Sequence, residues 1–226
     1  MIKNTASFES IELRFLFGEN SVKNLPDDFR SAGVSTDSRV IEDGNIFVAI
    51  RGERIDSHDM AEEALQKGAG AAIVEESWYK KNYDEISKLP LIVVEDSIKA
   101  LGMLANMHRR RFKELKIIAV GGSNGKTSTK DMAAHLLSRK YNVLKTYSNY
   151  NNLIGTPLMM FCIEPEHEIA VIEIGTNQPG EIPALCAIVE PTHGLITNIA
   201  EEHLEQLIDI TGVEVEEAYL FGHLMK

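Results

Sequence analysis

Ile117-Ile118-Ala119-Val120-Gly121-Gly122-Ser123-Asn124-Gly125-Lys126-Thr127 is an apolar run that breaks into a glycine-rich loop ending in Gly-Lys-Thr. A buried strand feeding such a loop, followed by a helix, makes a phosphate cradle. Backbone N–H groups wrap anionic oxygens, the lysine reaches the terminal phosphates, and the threonine hydroxyl is placed to ligate Mg²⁺. The following residues 128–140 read as that helix, with Met132, His135, Leu136 and Leu137 at helical spacing and the positive end facing the nucleotide. The expected ligand is a nucleoside triphosphate, held by Gly122, Ser123, Asn124, Gly125, Lys126, Thr127 and Ser128. One position departs from the general pattern, which asks for glycine five residues before Gly125 and finds Val120. The competing reading is a strand-to-helix turn that holds nothing.

Downstream, residues 169–175 form an apolar strand that carries Glu173, and residues 194–199 another that ends in polar side chains. A helix at 181–188 lies between them, so the pattern is that of a parallel sheet with functional groups at the carboxyl ends of its strands. Glu173 sits inside a Val-Ile-Glu-Ile run. An unpaired buried carboxylate is costly, so metal ligation explains it better than a structural salt bridge. His203 directly follows the next strand, where a surface or helix-capping histidine is the plainer alternative to a ligand. The loop Asn149-Tyr150-Asn151-Asn152-Leu153-Ile154-Gly155-Thr156-Pro157 is rich in amides and reads either as a substrate contact or as a plain turn.

Upstream, residues 45–50 read as a strand, 51–59 as a polar loop, 60–68 as a helix closed by glycine, and 71–74 and 91–94 as two more buried strands. This is a small α/β unit. Residues 97–116 read as one long helix whose basic end, Arg109-Arg110-Arg111, suits the negative pole of the helix dipole and a solvated face. The expected fold class is therefore α/β: a small N-terminal α/β domain over residues 1–95, then a parallel-sheet nucleotide-binding domain over 96–226.

The 226 residues carry a formal net charge of −11, which argues against nonspecific nucleic-acid binding. The two cysteines, Cys162 and Cys186, lie in apolar contexts without metal-ligand spacing and read as buried reduced thiols. The N-terminal residues lack signal-peptide architecture and no apolar run has membrane-spanning length. The expected location is the cytoplasm.

Four motifs occur in an order that resembles the Mur ligases: the loop Gly122 to Thr127, the Asn151-Asn152 segment through Pro157, the Glu173-Ile-Gly-Thr-Asn-Gln-Pro-Gly-Glu-Ile182 stretch, and Thr197 through Glu205. Upstream, Ser35-Thr36-Asp37-Ser38-Arg39, Gly44 through Ile50 and Gly52 through His58 resemble that family's uridine-nucleotide-binding domain. The detailed forms look most like the branch that adds D-alanyl-D-alanine to UDP-N-acetylmuramoyl-tripeptide. The resemblance implies an ATP- and Mg²⁺-dependent ligase acting through an acyl phosphate. It implies that Lys126 contacts the ATP phosphates, that Thr127 and Glu173 hold one Mg²⁺, and that His203 ligates a second metal. It further implies that Ser35, Thr36, Asp37, Ser38 and Arg39 lie at the UDP end of the substrate, with Asn151 and Asn152 facing a cleft between domains. Two other readings compete with it, a non-catalytic nucleotide-binding paralogue and a small-molecule kinase; the kinase leaves the N-terminal segment unexplained.

The chain departs from the family pattern at four places. Gly121 stands where many members have threonine, and Ser57 takes a glycine slot where a turn with positive φ is expected. Gln206-Leu207-Ile208 replaces a glycine-containing turn. Under the family alignment Glu217 occupies the place of a lysine that becomes carbamylated and binds metal. Glu217 is accordingly expected either to replace the carbamate as a metal ligand or to be a surface acid on a Glu-rich helix. Family members also continue into a further domain, so the central sheet is expected to be incomplete at residue 226, with marginal stability or self-association.

Overall fold

The computed structural model describes residues 3–52, 55–202 and 204–225. The chain forms two compact units, Met1–Leu104 and Ala105–Lys226. The first contains α1 (Ser10–Phe17), β1 (Val22–Lys23), β2 (Val34–Ser35), β3 (Ile46–Val48), α2 (Ala61–Gln66), β4 (Ala71–Glu75), α3 (Glu76–Lys81), α4 (Tyr83–Ile86), β5 (Leu91–Val94) and the start of α5 (Ser97–Arg109). Its sheet has the order β1-β5-β4-β3-β2 and is parallel except for β1, which runs antiparallel to β5. The inner strands are almost wholly apolar because helices and loops cover both faces. Ala61 and Ala64 of α2 pack on Phe47, Ala72 and Val74, their small side chains letting the helix sit close to the sheet. Gly68, at φ +112°, follows the end of that helix in a conformation that glycine adopts without strain.

The second unit holds β6 (Lys116–Gly121), α6 (Lys126–Leu137), β7 (Val143–Lys145), α7 (Gly155–Met160), β8 (Ile169–Glu173), α8 (Glu181–Val189), β9 (His193–Ile196), α9 (Leu204–Leu207) and α10 (Ile210–Leu224). Its four strands are all parallel, in the order β7-β8-β6-β9. The chain leaves β6 toward β7 on one side and leaves β8 toward β9 on the other. The carboxyl ends of β6 and β8 are therefore neighbours whose connections diverge, which is where open parallel sheets bind ligands. Mixed α/β architecture with parallel sheets is thus what the sequence pattern predicts and what the chain adopts. Among the described residues no helix is long and apolar enough to cross a membrane.

Three local expectations are corrected. The helix after the loop begins at Lys126 and ends at Leu137, and its buried positions are Lys130 and Ala134, while Met132 and Leu136 are exposed. The partly buried Ala133 and Leu137 complete the face packed on Val120, Ile169 and Val171. The long helix expected through residue 116 stops at Arg109, because Lys116 already opens β6. Its basic end is not simply a solvated face: Arg109 is buried and its guanidinium donates to the carbonyls of Val189 and Glu190, satisfying the open end of α8. Arg110 pairs with the Glu190 carboxylate.

Candidate nucleotide and metal site

The strand β6 is buried through Val120 and Gly121, and the loop proper begins only at Gly122. This accounts for Val120 in place of glycine: the residue is still sheet, paired with Glu173 and Leu195. Gly122 has φ +107°, and a Cβ there would lie 2.5 Å from Thr197 Oγ1 and 2.8 Å from the Asn198 carbonyl oxygen, so only glycine fits. The segment after β9 buttresses the loop. Ser123 N donates to the Asn198 carbonyl at 2.9 Å, Asn124 N to Asn198 Oδ1 at 2.8 Å, and Ser123 Oγ to the Ala200 carbonyl at 3.1 Å. Gly125, at φ +82°, turns the chain into α6, whose first turn has no side-chain cap. The leading N–H groups and the positive helix pole are left for an anion. The Lys126 ammonium folds back and donates to the carbonyls of Gly122 and Ser123.

Beside this loop stands the carboxylate at the end of β8. Glu173 is 2 % exposed. Its Oε2 accepts the Thr127 hydroxyl at 3.0 Å and its Oε1 accepts the Asn151 side-chain amide at 2.9 Å. Its own N–H donates to buried Thr146 Oγ1 at 2.8 Å, which fixes the strand end. The Lys130 ammonium approaches Oε2 to 3.7 Å. Thr127 and Glu173, expected to share one ion, are thus brought together, and Asn151, expected as a substrate contact, joins them at Glu173. Asn152 does something different: its exposed side chain accepts the N–H groups of Ile154 and Gly155 and ties the turn that leads into α7. Ser128 is exposed in the first turn of α6. His203 lies outside the described residues.

In the first unit, the loop after β2 is tied by its own side chains. Ser35 Oγ accepts the Asp37 N–H at 3.1 Å, and Asp37 accepts the Arg39 N–H, Nε and Nη2 at 3.0, 2.8 and 2.6 Å. This fork holds the Asp37 carboxyl below the ordinary carboxylate range. Ser38 is buried, with Oγ on Met60 Sδ, while Thr36 is half-buried and Arg39 is exposed. The five residues form one pinned turn at the carboxyl end of a parallel strand.

Residues 120–226 match the Mur ligase middle domain, and residues 30–109 match the Mur ligase family, catalytic domain. The chain belongs to the Mur ligase family. It is 38 % identical over 197 residues to the UDP-N-acetylmuramoyl-tripeptide--D-alanyl-D-alanine ligase of Escherichia coli K12, covering 87 % of this chain and 42 % of that protein. It is 37 % identical over 181 residues to the ligase of the same name from Bacillus subtilis 168, covering 80 % and 38 %. Crystal structure I of MurF from Acinetobacter baumannii superposes with a TM-score of 0.85 at 32 % identity, over 96 % of this chain and 47 % of that one. MurF ligase from Thermotoga maritima in complex with ADP superposes with a TM-score of 0.76 at 32 % identity, over 84 % and 43 %. The chain spans about two fifths of the length of the curated relatives it matches.

The departures from the Mur ligase pattern have structural counterparts. Glu217 is not a surface acid: it is fully buried, and its Oε2 accepts the Gly122 N–H at 2.8 Å. Its Oε1 has no hydrogen-bond partner among the described residues. Burial pushes this carboxyl up to about 7, against the opposing pull of the Gly122 N–H and the Lys126 charge. A Cβ on Gly121 would meet Glu217 Oε2 at 2.6 Å, so glycine in the Mur threonine slot is what makes room for this acid. Ser57 is free of the strain expected of it, since it is not among the residues with positive φ and its hydroxyl bridges the N–H and carbonyl of Ile50. The strain falls instead on Ile208, at φ +73°, in the segment that lacks the glycine turn.

Sequence reading missed Lys130, Thr146, Asn198 and Glu216. Glu216 is buried and accepts the N–H groups of Gly180 and Ile182 at 2.9 and 2.7 Å, anchoring the start of α8. Asn198 and Thr146 carried a signal, as polar residues just past strand ends. Lys130 and Glu216 read as ordinary surface charges on helices and carried none.

Proposed function

We propose that this chain forms the nucleotide- and UDP-substrate-binding part of an ATP-dependent amide-bond ligase of peptidoglycan precursor synthesis, one that joins D-alanyl-D-alanine to UDP-N-acetylmuramoyl-tripeptide. The observation that carries this reading is the contact of Thr127, in the first turn of an uncapped helix, with the buried carboxylate of Glu173. An anion cradle and a hard oxygen pair then share one wall. Mg²⁺ characteristically binds one or two carboxylates plus substrate phosphates, and this donor set fits it. Thr127 and Glu173 would hold the ion, and the unpartnered Glu217 Oε1 is the group that would face a second cation, with His203 the further expected ligand. When bound, the ion neutralises charge that builds between two anionic reactants.

The residues of the chain perform the rest. Lys126 exchanges its loop carbonyls for phosphate oxygens, and the N–H groups of 125–128 are fixed in advance toward the same anion. Asn151 and Thr146 hold Glu173 in register, and Asn152 fixes the turn that presents Asn151. The turn Ser35 to Arg39, pinned by its own side chains, would meet the uridine diphosphate end with the half-buried Thr36 hydroxyl and the exposed Arg39 guanidinium. A substrate carboxylate oxygen attacks the γ-phosphorus, the bond to the bridging oxygen breaks, and ADP departs. The dipeptide amine then attacks the acyl carbon, inorganic phosphate leaves, and the amine loses a proton.

The test is ATP-dependent phosphate release with both UDP-N-acetylmuramoyl-tripeptide and D-alanyl-D-alanine present, alongside binding of a fluorescent ADP analogue. Release requiring both acceptors, abolished by Lys126→Ala, supports the ligase reading. Analogue binding that Lys126→Ala removes, without any release, supports a nucleotide-binding module instead.

A further inference from the structure

Lys130 has no part in the reading above, yet it is among the most buried side chains of the molecule, at 2 % exposure. A lysine is almost never fully buried unless it is paired. Its ammonium lies 3.7 Å from Glu173 Oε2 and 3.5 Å from Asp131 Oδ1. Asp131 in turn takes a hydrogen bond from Lys145 at 2.8 Å, and that bond, together with the Lys130 charge, holds its carboxyl low. Two carboxylates and two ammonium groups therefore form one chain of alternating sign, Glu173, Lys130, Asp131 and Lys145. The four sum to zero. Glu173 also spends Oε2 on the Thr127 hydroxyl and Oε1 on Asn151.

We propose that Lys130 is a resident counter-cation for Glu173, a positioning residue that makes divalent-metal binding conditional on the nucleotide triphosphate. The proposal rests on the reading of Glu173 as a metal ligand. In the nucleotide-free chain a divalent ion meets a carboxylate whose charge is already balanced, and it must sit close to a buried ammonium. Charges a few ångströms apart in a buried setting interact strongly. The phosphates supply the negative charge that retains the ion, so metal and nucleotide bind with positive coupling. By linkage that coupling is one number, whichever ligand is added first. It also explains why a lysine occupies a buried helical position where an apolar residue would pack at lower cost.

The experiment measures Mn²⁺ binding to the full chain by electron paramagnetic resonance of the free ion, with and without a non-hydrolysable ATP analogue. In the parent chain the analogue is expected to tighten Mn²⁺ binding strongly. In Lys130→Met, Mn²⁺ binds the nucleotide-free chain at least about tenfold more tightly, and the factor gained from the analogue falls correspondingly. Unchanged Mn²⁺ affinity and an unchanged factor in Lys130→Met overturn the proposal. Glu173→Gln separates the two levels: if it leaves Mn²⁺ affinity unchanged with the analogue present, the metal-ligand reading itself fails. Should Lys130→Met not fold, adding Glu173→Gln removes the uncompensated charge and is expected to restore a cooperative melt. A double variant that stays unfolded overturns the proposal, because Lys130 would then be needed for its volume and not for its charge.

Discussion

Glu217 Oε2 holds the Gly122 N–H at 2.8 Å and stands 2.6 Å from where a side chain on Gly121 would begin. The acid and the missing side chain are two halves of one feature. Gly121→Ala is expected to push the carboxylate off Gly122 and to destabilise the chain by about 1–2 kcal/mol, the range for a lost buried hydrogen bond plus modest overpacking. In a Glu217→Ala background the same change should be nearly neutral. Urea unfolding of the four chains gives the coupling directly. Additive effects would show that the two positions do not share the space.

Ile208 adopts φ +73° while its side chain is exposed, so no burial offsets the backbone strain. A β-branched residue in this region is a genuine outlier, disfavoured by roughly 1–2 kcal/mol. Ile208→Gly is expected to raise stability by about 1 kcal/mol after the entropy that glycine adds to the unfolded chain. Thermal melting should show a higher midpoint. A lower one would mean that the strain is relieved in solution by a different turn.

The parallel sheets and the phosphate loop were legible because they rest on local chemistry: β-branched runs, glycines where the backbone needs positive φ, and Lys-Thr opening a helix. Glu173 was legible for a related reason, since a carboxylate inside an apolar strand needs a partner. Lys130 and Glu216 were not. Each lies on a helix rich in polar residues, and only the packing of that helix decides which polar residue turns inward. Glu217 stood between a metal-ligand and a surface-acid reading, and only the packing of α10 against β6 and β9 rules out the surface. The overextended helix at 97–116 has another cause: nothing in its apolar spacing marks the switch at Lys116, and the stop is imposed by strand pairing of the following residues.

Cys186 is buried, and burial, then the neighbouring Glu217 and Glu216, push its thiol up to about 12. Cys162 is half-buried, not fully buried as its apolar context suggests, and desolvation and Glu164 still push its thiol up to about 12. Only the thiolate is a nucleophile, so both should be inert in the folded chain. An aromatic disulfide reagent at mildly alkaline pH is expected to label neither until guanidinium is added, when both react. Rapid labelling of either thiol in the folded chain contradicts the shielding that raises it.

The Asp37 carboxylate gathers three donors from Arg39 and caps the turn that begins at Ser38. Its pKa is lowered in the folded chain from an ordinary value of 3.8, chiefly by the Arg39 hydrogen bond. Between the two values the unfolded chain binds more protons than the folded one, so stability rises with pH across that interval. The contribution is fully present above the unfolded value and is lost as pH falls through the folded one. Asp37→Asn keeps a capping oxygen but removes the charge, so its effect isolates the ionic part. Arg39 is exposed although Asp37 is half-buried, so the contribution of the pair is small and salt-sensitive. Asp37→Asn should therefore be slightly less stable than the parent at neutral pH and low salt. The difference should shrink in high salt and disappear in acid below the folded pKa. Urea unfolding across that pH range checks the sign, and a difference that grows on acidification would show that the Arg39 fork does not set the charge of Asp37.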